Sequence, residues 1–297
     1  MSRGLSPSSQ KRYGVERAAR VLEIPRSTVY ARRKAAARTE PLNKRGPKTA
    51  LADDALVAAI RLALAETPWL GEGYRKVWAM LRHKGTRTSK GRVLRVMREH
   101  GLLAPHRAQG AAESKSHEGT ITTEVPDTMW GTDATQTQTT REGTATVFVV
   151  VDHCSTECVS LRASHRGTRF EAIDALRAGV VERFGGHAEG VARGLAVRHD
   201  HGSPFVADLY QKELRFVGAE SSPAFVREPE TNGVAERFIR TLKEQLLWIR
   251  RFATLDELQA ALEDFRRRYN ETWLLARHGY LTPAAAGAAL RAKKAAA

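Results

Sequence analysis

A chain of 297 residues that is 42% hydrophobic is long enough for two or three compact domains, yet no apolar run approaches the roughly 20 residues a bilayer crossing needs. Its two cysteines, Cys154 and Cys158, are too few for a disulfide framework, and no second ligand pair accompanies them and His153 to make a zinc site. The net charge of +15 is unevenly spread: residues 1–110 hold 24 Lys and Arg against 8 Asp and Glu, and the rest hold 24 against 25. That asymmetry suits a nucleic-acid-binding front end joined to a near-neutral module. The opening Met-Ser-Arg-Gly-Leu-Ser-Pro has no apolar stretch after its basic residue, which predicts a cytoplasmic protein.

Residues 1–45 are expected to hold a first helix-turn-helix and a linker. Val15, Ala18, Ala19 and Leu22 repeat at helical spacing, Glu23-Ile24-Pro25 interrupts them, and Ser27 is placed to cap a second helix. In such a motif the second helix enters the major groove, so Arg26, Ser27 and Thr28 are candidates for base edges and Arg32 and Arg33 for phosphates. A second helical unit is expected over residues 46–107. Leu56, Ile60 and Leu64 form one stripe, Tyr74, Val77, Trp78 and Leu81 another, and Ser89 caps a helix carrying Val93, Leu94, Val96 and Met97. Lys90, Arg92 and Arg95 on that last helix are further candidates for DNA contact, and Trp69, Tyr74 and Trp78 read as core. Residues 108–125 are small and polar, the composition of a flexible linker.

Strand patterns follow: Thr128 to Thr135, Thr144 to Asp152 after a turn at Gly143, and Val159 to Ala163. A helix with Phe170, Ile173, Leu176, Val180 and Val181 as apolar positions comes next, then a strand at Leu195–Arg198, a helix at Pro204–Phe216 and a short segment at Ala219–Ala224. The alternation predicts a mixed sheet flanked by helices. Asp133 falls in the first strand, Asp200 just past the fourth, and Glu236 on a helix whose other side carries Val234, Phe238, Leu242 and Leu246. Arg240 and Lys243 share the face of Glu236, where they would hold a DNA backbone. Three carboxylates have a use in phosphodiester chemistry: they can hold two divalent ions about 3.5–4 Å apart that stabilise the attacking and leaving oxygens together.

The segments Trp130-x-x-Asp133-x-Thr135, His199-Asp200-His201-Gly202-Ser203-Pro204-Phe205 and Pro229-Glu230-Thr231-Asn232-Gly233-Val234-Ala235-Glu236-Arg237-Phe238 resemble the integrase-like core of bacterial insertion-sequence transposases, the group named after insertion sequence three. Retroviral integrases resemble it more distantly, with the same 35-residue gap between the second Asp and the Glu. The resemblance covers about residues 126–287 and implies an α/β ribonuclease H-like core, a mixed five-stranded sheet with flanking helices, preceded by all-α helix-turn-helix domains. Residues 288–297 are left as a basic, Ala-rich tail. It further implies that Asp133, Asp200 and Glu236 bind two Mg2+ ions, replaceable by Mn2+, and cut and join DNA without a covalent protein–DNA intermediate. Asn232 and Gly233 would shape the start of the catalytic helix. Implied partners are the double-stranded terminal repeats and target DNA, further copies of the chain, and an upstream-frame protein. Where many members carry Arg-Pro-His, Trp273-Leu274-Leu275 stands here.

Asp152 ends a buried strand, a position where an acid more commonly caps backbone than binds metal. His199 and His201 are expected to be structural or to meet phosphate. The run Arg266-Arg267-Arg268 is read as a solvated helix face or a grip on DNA. Rival functions are a structure-specific nuclease of the same fold and a DNA-binding regulator with an inactive core.

Overall fold

The computed structural model describes residues 5–11, 14–37, 51–105, 123–224 and 232–295. Most of the expected linker, 108–125, and the Pro229-Glu230-Thr231 stretch lie outside them. The chain divides into two units, Met1–Ala50 and Leu51–Ala297. In the first, α1 (Val15–Val21) and α2 (Arg26–Ala36) form the expected helical pair. Their turn is closed by Glu23 at a φ of 53° and by the Ile24 amide, which donates to the Ala19 carbonyl. Pro25, not Ser27, stands at the N-cap of α2: its φ of −54° already suits a helix start, and Ser27 falls inside the helix.

The second unit opens with α3 (Asp53–Glu66), α4 (Tyr74–His83) and α5 (Lys90–Glu99). Leu56, Ile60, Val77, Leu81, Val93, Val96 and Met97 make their shared core, and Ser89 caps α5 by accepting from the Arg92 amide. There follow β1 (Met129–Thr139), β2 (Gly143–Asp152), β3 (Cys158–Ser164), α6 (Arg169–Phe184), β4 (Ala196–His199), α7 (Ser203–Val206), α8 (Asp208–Val217), β5 (Glu220–Pro223), α9 (Gly233–Leu242), α10 (Leu255–Thr272) and α11 (Pro283–Ala295). A widened π turn, Lys243–Leu247, continues α9. The sheet order is β3-β2-β1-β4-β5, antiparallel across β3, β2 and β1 and parallel across β1, β4 and β5. This is the mixed five-stranded, ribonuclease H-like sheet.

The unbroken apolar run of β2 follows from burial on both faces. Alternate residues point to opposite sides. Val147, Val149 and Val151 meet Phe238, Leu242, Leu258 and Phe265 of α9 and α10, while Phe148 and Val150 meet Ile173, Leu176 and Leu214 of α6 and α8. Two helical expectations change. On α6, Ile173, Leu176 and Val180 are buried, but Phe170 is 53% and Val181 48% exposed: Val181 lies about 100° around the helix from Val180, and Phe170 stands in the first turn. The helix expected over Pro204–Phe216 is broken at Ala207, whose ψ of 136° is extended. No helix among the described residues is long and apolar enough to cross a membrane.

The final helix also differs. Residues 288–295 continue α11 without a break, and Arg291 donates to Asp127 at 3.2 Å and to Glu157 at 2.8 Å, where Arg183 completes the cluster. Arg291→Ala removes charge-assisted bonds to a nearly buried carboxylate that keeps Arg183 and the Ser155 hydroxyl. We expect a loss of about 1–3 kcal/mol, read as an earlier urea midpoint with unchanged slope; an unshifted midpoint would show that the tail contributes nothing to the core.

Candidate active site

Strand register fixes the first two acids. Met129, Trp130 and Gly131 of β1 pair with Ala196, Val197 and Arg198 of parallel β4, an offset of 67 residues that brings Asp133 level with Asp200 where β4 ends. Asn232, at the start of α9, donates from Nδ2 to the Thr132 carbonyl at 2.9 Å. That bond pins the helix carrying Glu236, one turn on, beside the residue preceding Asp133. Gly131 makes the approach possible: a Cβ there would lie 2.8 Å from both Asn232 Oδ1 and His153 Nε2. A glycine inside a strand is the one sequence sign of this contact. His153, buried beside Asn232, has its pKa lowered to about 4 by burial, reinforced by the charges of Arg198 and Arg277, so its ring is neutral.

The three acids feel one another. Asp133 is half-buried, and its pKa is raised to about 6, first by burial and then by the like charges of Asp200 and Glu236. The Ala134 amide, which donates to Oδ1 at 2.7 Å, and the charge of Lys243 pull the other way. Asp200 is exposed and accepts from the Gly202 amide at 2.9 Å, and Glu236 is exposed on α9. Among the described residues no three His, Cys, Asp or Glu side chains are gathered to metal-ligating distance. The donor set nonetheless fits hard divalent cations: all three groups are carboxylates, and Asp133 carries the mutual repulsion that a cation relieves.

The surrounding side chains serve the backbone. His199 bonds through Nδ1 to the Asp200 carbonyl at 2.6 Å and through Nε2 to Ser221 Oγ at 2.9 Å, while His201 Nε2 bonds to the Ala224 carbonyl at 2.8 Å. Both rings tether the Asp200 loop to β5 and its end. Asp152 is fully buried and accepts from Ser155 N, Ser155 Oγ and Asp127 N, a bracket for the turn after β2. Cys154 and Cys158 are buried free thiols, both with pKa values pushed up by burial.

The expected DNA-contact residues divide. Ser27, Arg32 and Arg33 are exposed on α2 and Thr28 half-buried, while Arg26 pairs with Glu16 at 3.5 Å. Arg92 and Arg95 are engaged in ion pairs at the surface: Arg92 donates to Asp53 Oδ1 and the Leu51 carbonyl, and Arg95 to Asp53 Oδ2 at 2.7 Å and Glu99 at 2.7 Å. Together, Arg95 first, they hold the Asp53 carboxyl down at about 2. These two arginines join α5 to the start of α3. Lys90 stays exposed, 4.5 Å from the Trp78 ring centroid. Arg240 is exposed and paired with Glu244 at 3.0 Å, and half-buried Lys243 faces the acids. Arg267 and Arg268 pair with Asp264, and Arg266 with Glu182 and Glu263.

This sheet order, with Asp133 within β1, Asp200 just past β4 and Glu236 on α9, belongs to an integrase-core enzyme of the polynucleotidyl transferase class. The integrase core domain family matches residues 218–283 and the HTH-like domain family residues 52–109. The InsD transposases of insertion element IS2 from Escherichia coli are 27% identical over 239 residues, covering 78% of this chain and 77% of theirs. The chain is a DNA transposase, homologous to those of bacterial insertion elements. Among solved structures, the simian T-cell lymphotropic virus intasome in complex with PP2A regulatory subunit B56 gamma is similar at TM-score 0.46 and 17% identity, covering 76% of this chain and 72% of that one. The HTLV-2 integrase catalytic core domain in complex with magnesium is similar at TM-score 0.41 and 19% identity, covering 55% of this chain and 97% of that one.

The raised pKa of Asp133 has a sign that can be tested. Because its folded value of about 6 exceeds 3.8, the folded state binds more protons across that window and loses stability as pH rises through it. Above the window, without divalent cations, Asp133→Asn should therefore be more stable than the parent by on the order of 2 kcal/mol, and by little near pH 4. Urea melts in EDTA at both pH values measure the difference; equal stability at pH 8 would mean the Asp133 carboxyl is not raised in the folded state.

Proposed function

We propose that this transposase binds the terminal repeats of its element and cleaves and joins DNA strands with Asp133, Asp200 and Glu236 as the ligands of two Mg2+ ions, Mn2+ substituting. The observation that supports the reading is the strand register that brings Asp133 level with Asp200, together with the Asn232 bond that ties the Glu236 helix to the strand of Asp133. Bound there, divalent ions would polarise the scissile phosphodiester and stabilise the oxygens that attack and leave it. Asp133 is the fixed member, its main chain held in the sheet between β2 and β4. Asp200 sits on a loop whose backbone His199 and His201 restrain, and Glu236 is aligned through Asn232. Lys243 is placed to offset negative charge when a phosphate enters, and Arg240 to meet the backbone farther out. Cleavage by water frees a 3′-hydroxyl, and joining exchanges one phosphodiester for another, so no covalent bond to the protein is needed. The helical units supply end recognition, with exposed Arg32, Arg33 and Lys90 as phosphate contacts. Two ends must be brought together, which calls for several copies on DNA; an upstream-frame protein is a further proposed partner, and the cytoplasm the proposed compartment.

A strand-transfer assay with labelled terminal-repeat duplexes tests this. We expect Mg2+-dependent cleavage followed by joined products, with Asp133→Asn, Asp200→Asn and Glu236→Gln each losing both by at least about 100-fold while end binding in gel shifts survives. Cleavage without joining would indicate a nuclease, neither activity a regulator, and substantial activity in any one variant would remove that residue from the ligand set.

A further inference from the structure

The helical domain of residues 51–105 places a residue in another domain's core. Trp69, in the connection between α3 and α4, is 4% exposed, yet it is absent from the cluster that unites α3, α4 and α5. It belongs instead to the cluster of Phe238, Leu242, Leu246, Phe265 and Tyr269, beneath the helix that carries Glu236. Its ring meets Phe265 at 5.6 Å and Trp273 at 5.1 Å, both edge to face, and its indole donates to Thr272 Oγ1 at 2.9 Å. Phe265 in turn packs on Phe238 at 6.1 Å, two residues after Glu236. Such edge-to-face pairs prefer defined geometry, so the chain of rings transmits position as well as burying area.

A second contact grips the same helix directly. Gln245, in the π turn that continues α9, accepts from the Leu70 amide at 2.9 Å and donates to the Leu70 carbonyl at 3.0 Å. This reciprocal pair satisfies both backbone groups of one residue with one side chain. A third contact flanks them: Lys76 pairs with Glu72 at 3.2 Å and lies 3.0 Å from the Trp273 ring centroid. The π turn begins at Lys243, whose charge acts on Asp133, so the gripped turn is continuous with the acid pocket. Widened turns of this kind are common at functional sites.

We propose that the Thr67–Lys76 segment of the helical domain braces the Glu236 helix, with Trp69 and Gln245 as positioning residues, so that the acids reach their working arrangement only when the helical domain is seated on the core. The inference rests on Glu236 being a catalytic acid. It makes the helical domain part of the catalytic structure, and it holds DNA bound by that domain in a fixed relation to the acids.

The test uses the full chain carrying Gln245→Ala, Trp69→Ala or Trp69→Phe. Read-outs are gel-shift affinity for terminal-repeat DNA, single-turnover cleavage at saturating protein, the Mg2+ concentration for half-maximal rate, and hydrogen exchange of residues 233–247. For Gln245→Ala we expect binding within about twofold, cleavage slowed roughly tenfold, a several-fold higher Mg2+ requirement and faster exchange across α9 and its π turn. Trp69→Phe should retain most of the activity that Trp69→Ala loses. Should Trp69→Ala fail to fold, Gln245→Ala decides alone: wild-type exchange, rate and Mg2+ dependence in that variant would overturn the brace. If the parent chain itself cleaves nothing, the functional reading is at fault, and hydrogen exchange still decides whether the brace exists.

Discussion

Holding three negative side chains within electrostatic reach of one another is the demand that organises this molecule. Burial raises the pKa of Asp133 first, and the like charges of Asp200 and Glu236 add to it. A flexible chain would relieve that repulsion by moving apart. Here the backbones cannot drift. Asp133 is fixed between β2 and β4, Asp200 follows directly from β4, and the Glu236 helix is tied by Asn232 to the strand of Asp133. The two-sided burial of β2 is what makes the frame stiff, because it anchors helices on both faces of the sheet that bears the acids.

Polar groups near the acids are mostly committed to the main chain. His199 and His201 bond to carbonyls and to Ser221, Asp152 to amides, and the glycines at 131 and 202 leave room where a Cβ would lie 2.8 Å from a polar side-chain atom. On the proposed reading the chemistry therefore falls to the carboxylates, with Lys243 acting on Asp133. The same division runs through the basic residues. Arg92, Arg95, Arg183 and Arg291 are bound to carboxylates within the fold, so a net charge of +15 overstates what faces DNA. Net charge predicts the kind of partner; ion pairing decides which residues meet it.

Sequence reading reached the features that are local or periodic. The strand runs, the Ser89 cap, the stripe of Phe238, Leu242 and Leu246, and the placement of each acid on its element were all legible, because each depends on residues within a few positions. What escaped it depends on distant partners. Arg92 and Arg95 have the look of a recognition face, and only the fold reveals that both also pair with Asp53, some 40 residues earlier in the chain. Trp69 reads as helical-domain core, and only the fold reveals that its neighbours are Phe265 and Trp273. The continuation of α11 past residue 287 likewise depends on Asp127 and Glu157, far upstream. The π turn has no signature in composition at all.

The acids' present arrangement is compatible with their proposed work. Asp133 and Asp200 each accept an amide close in sequence, from Ala134 and Gly202, and so spread their charges over local donors rather than onto a common centre. An exchange of such bonds changes stability by only about 1 kcal/mol each, because water and other donors compensate. On the proposed reading, a dication at the carboxylates would offset both the burial and the like charges that raise the pKa of Asp133. The backbone holds the elements of the three acids together, and local amides stabilise Asp133 and Asp200 in the arrangement the structure shows.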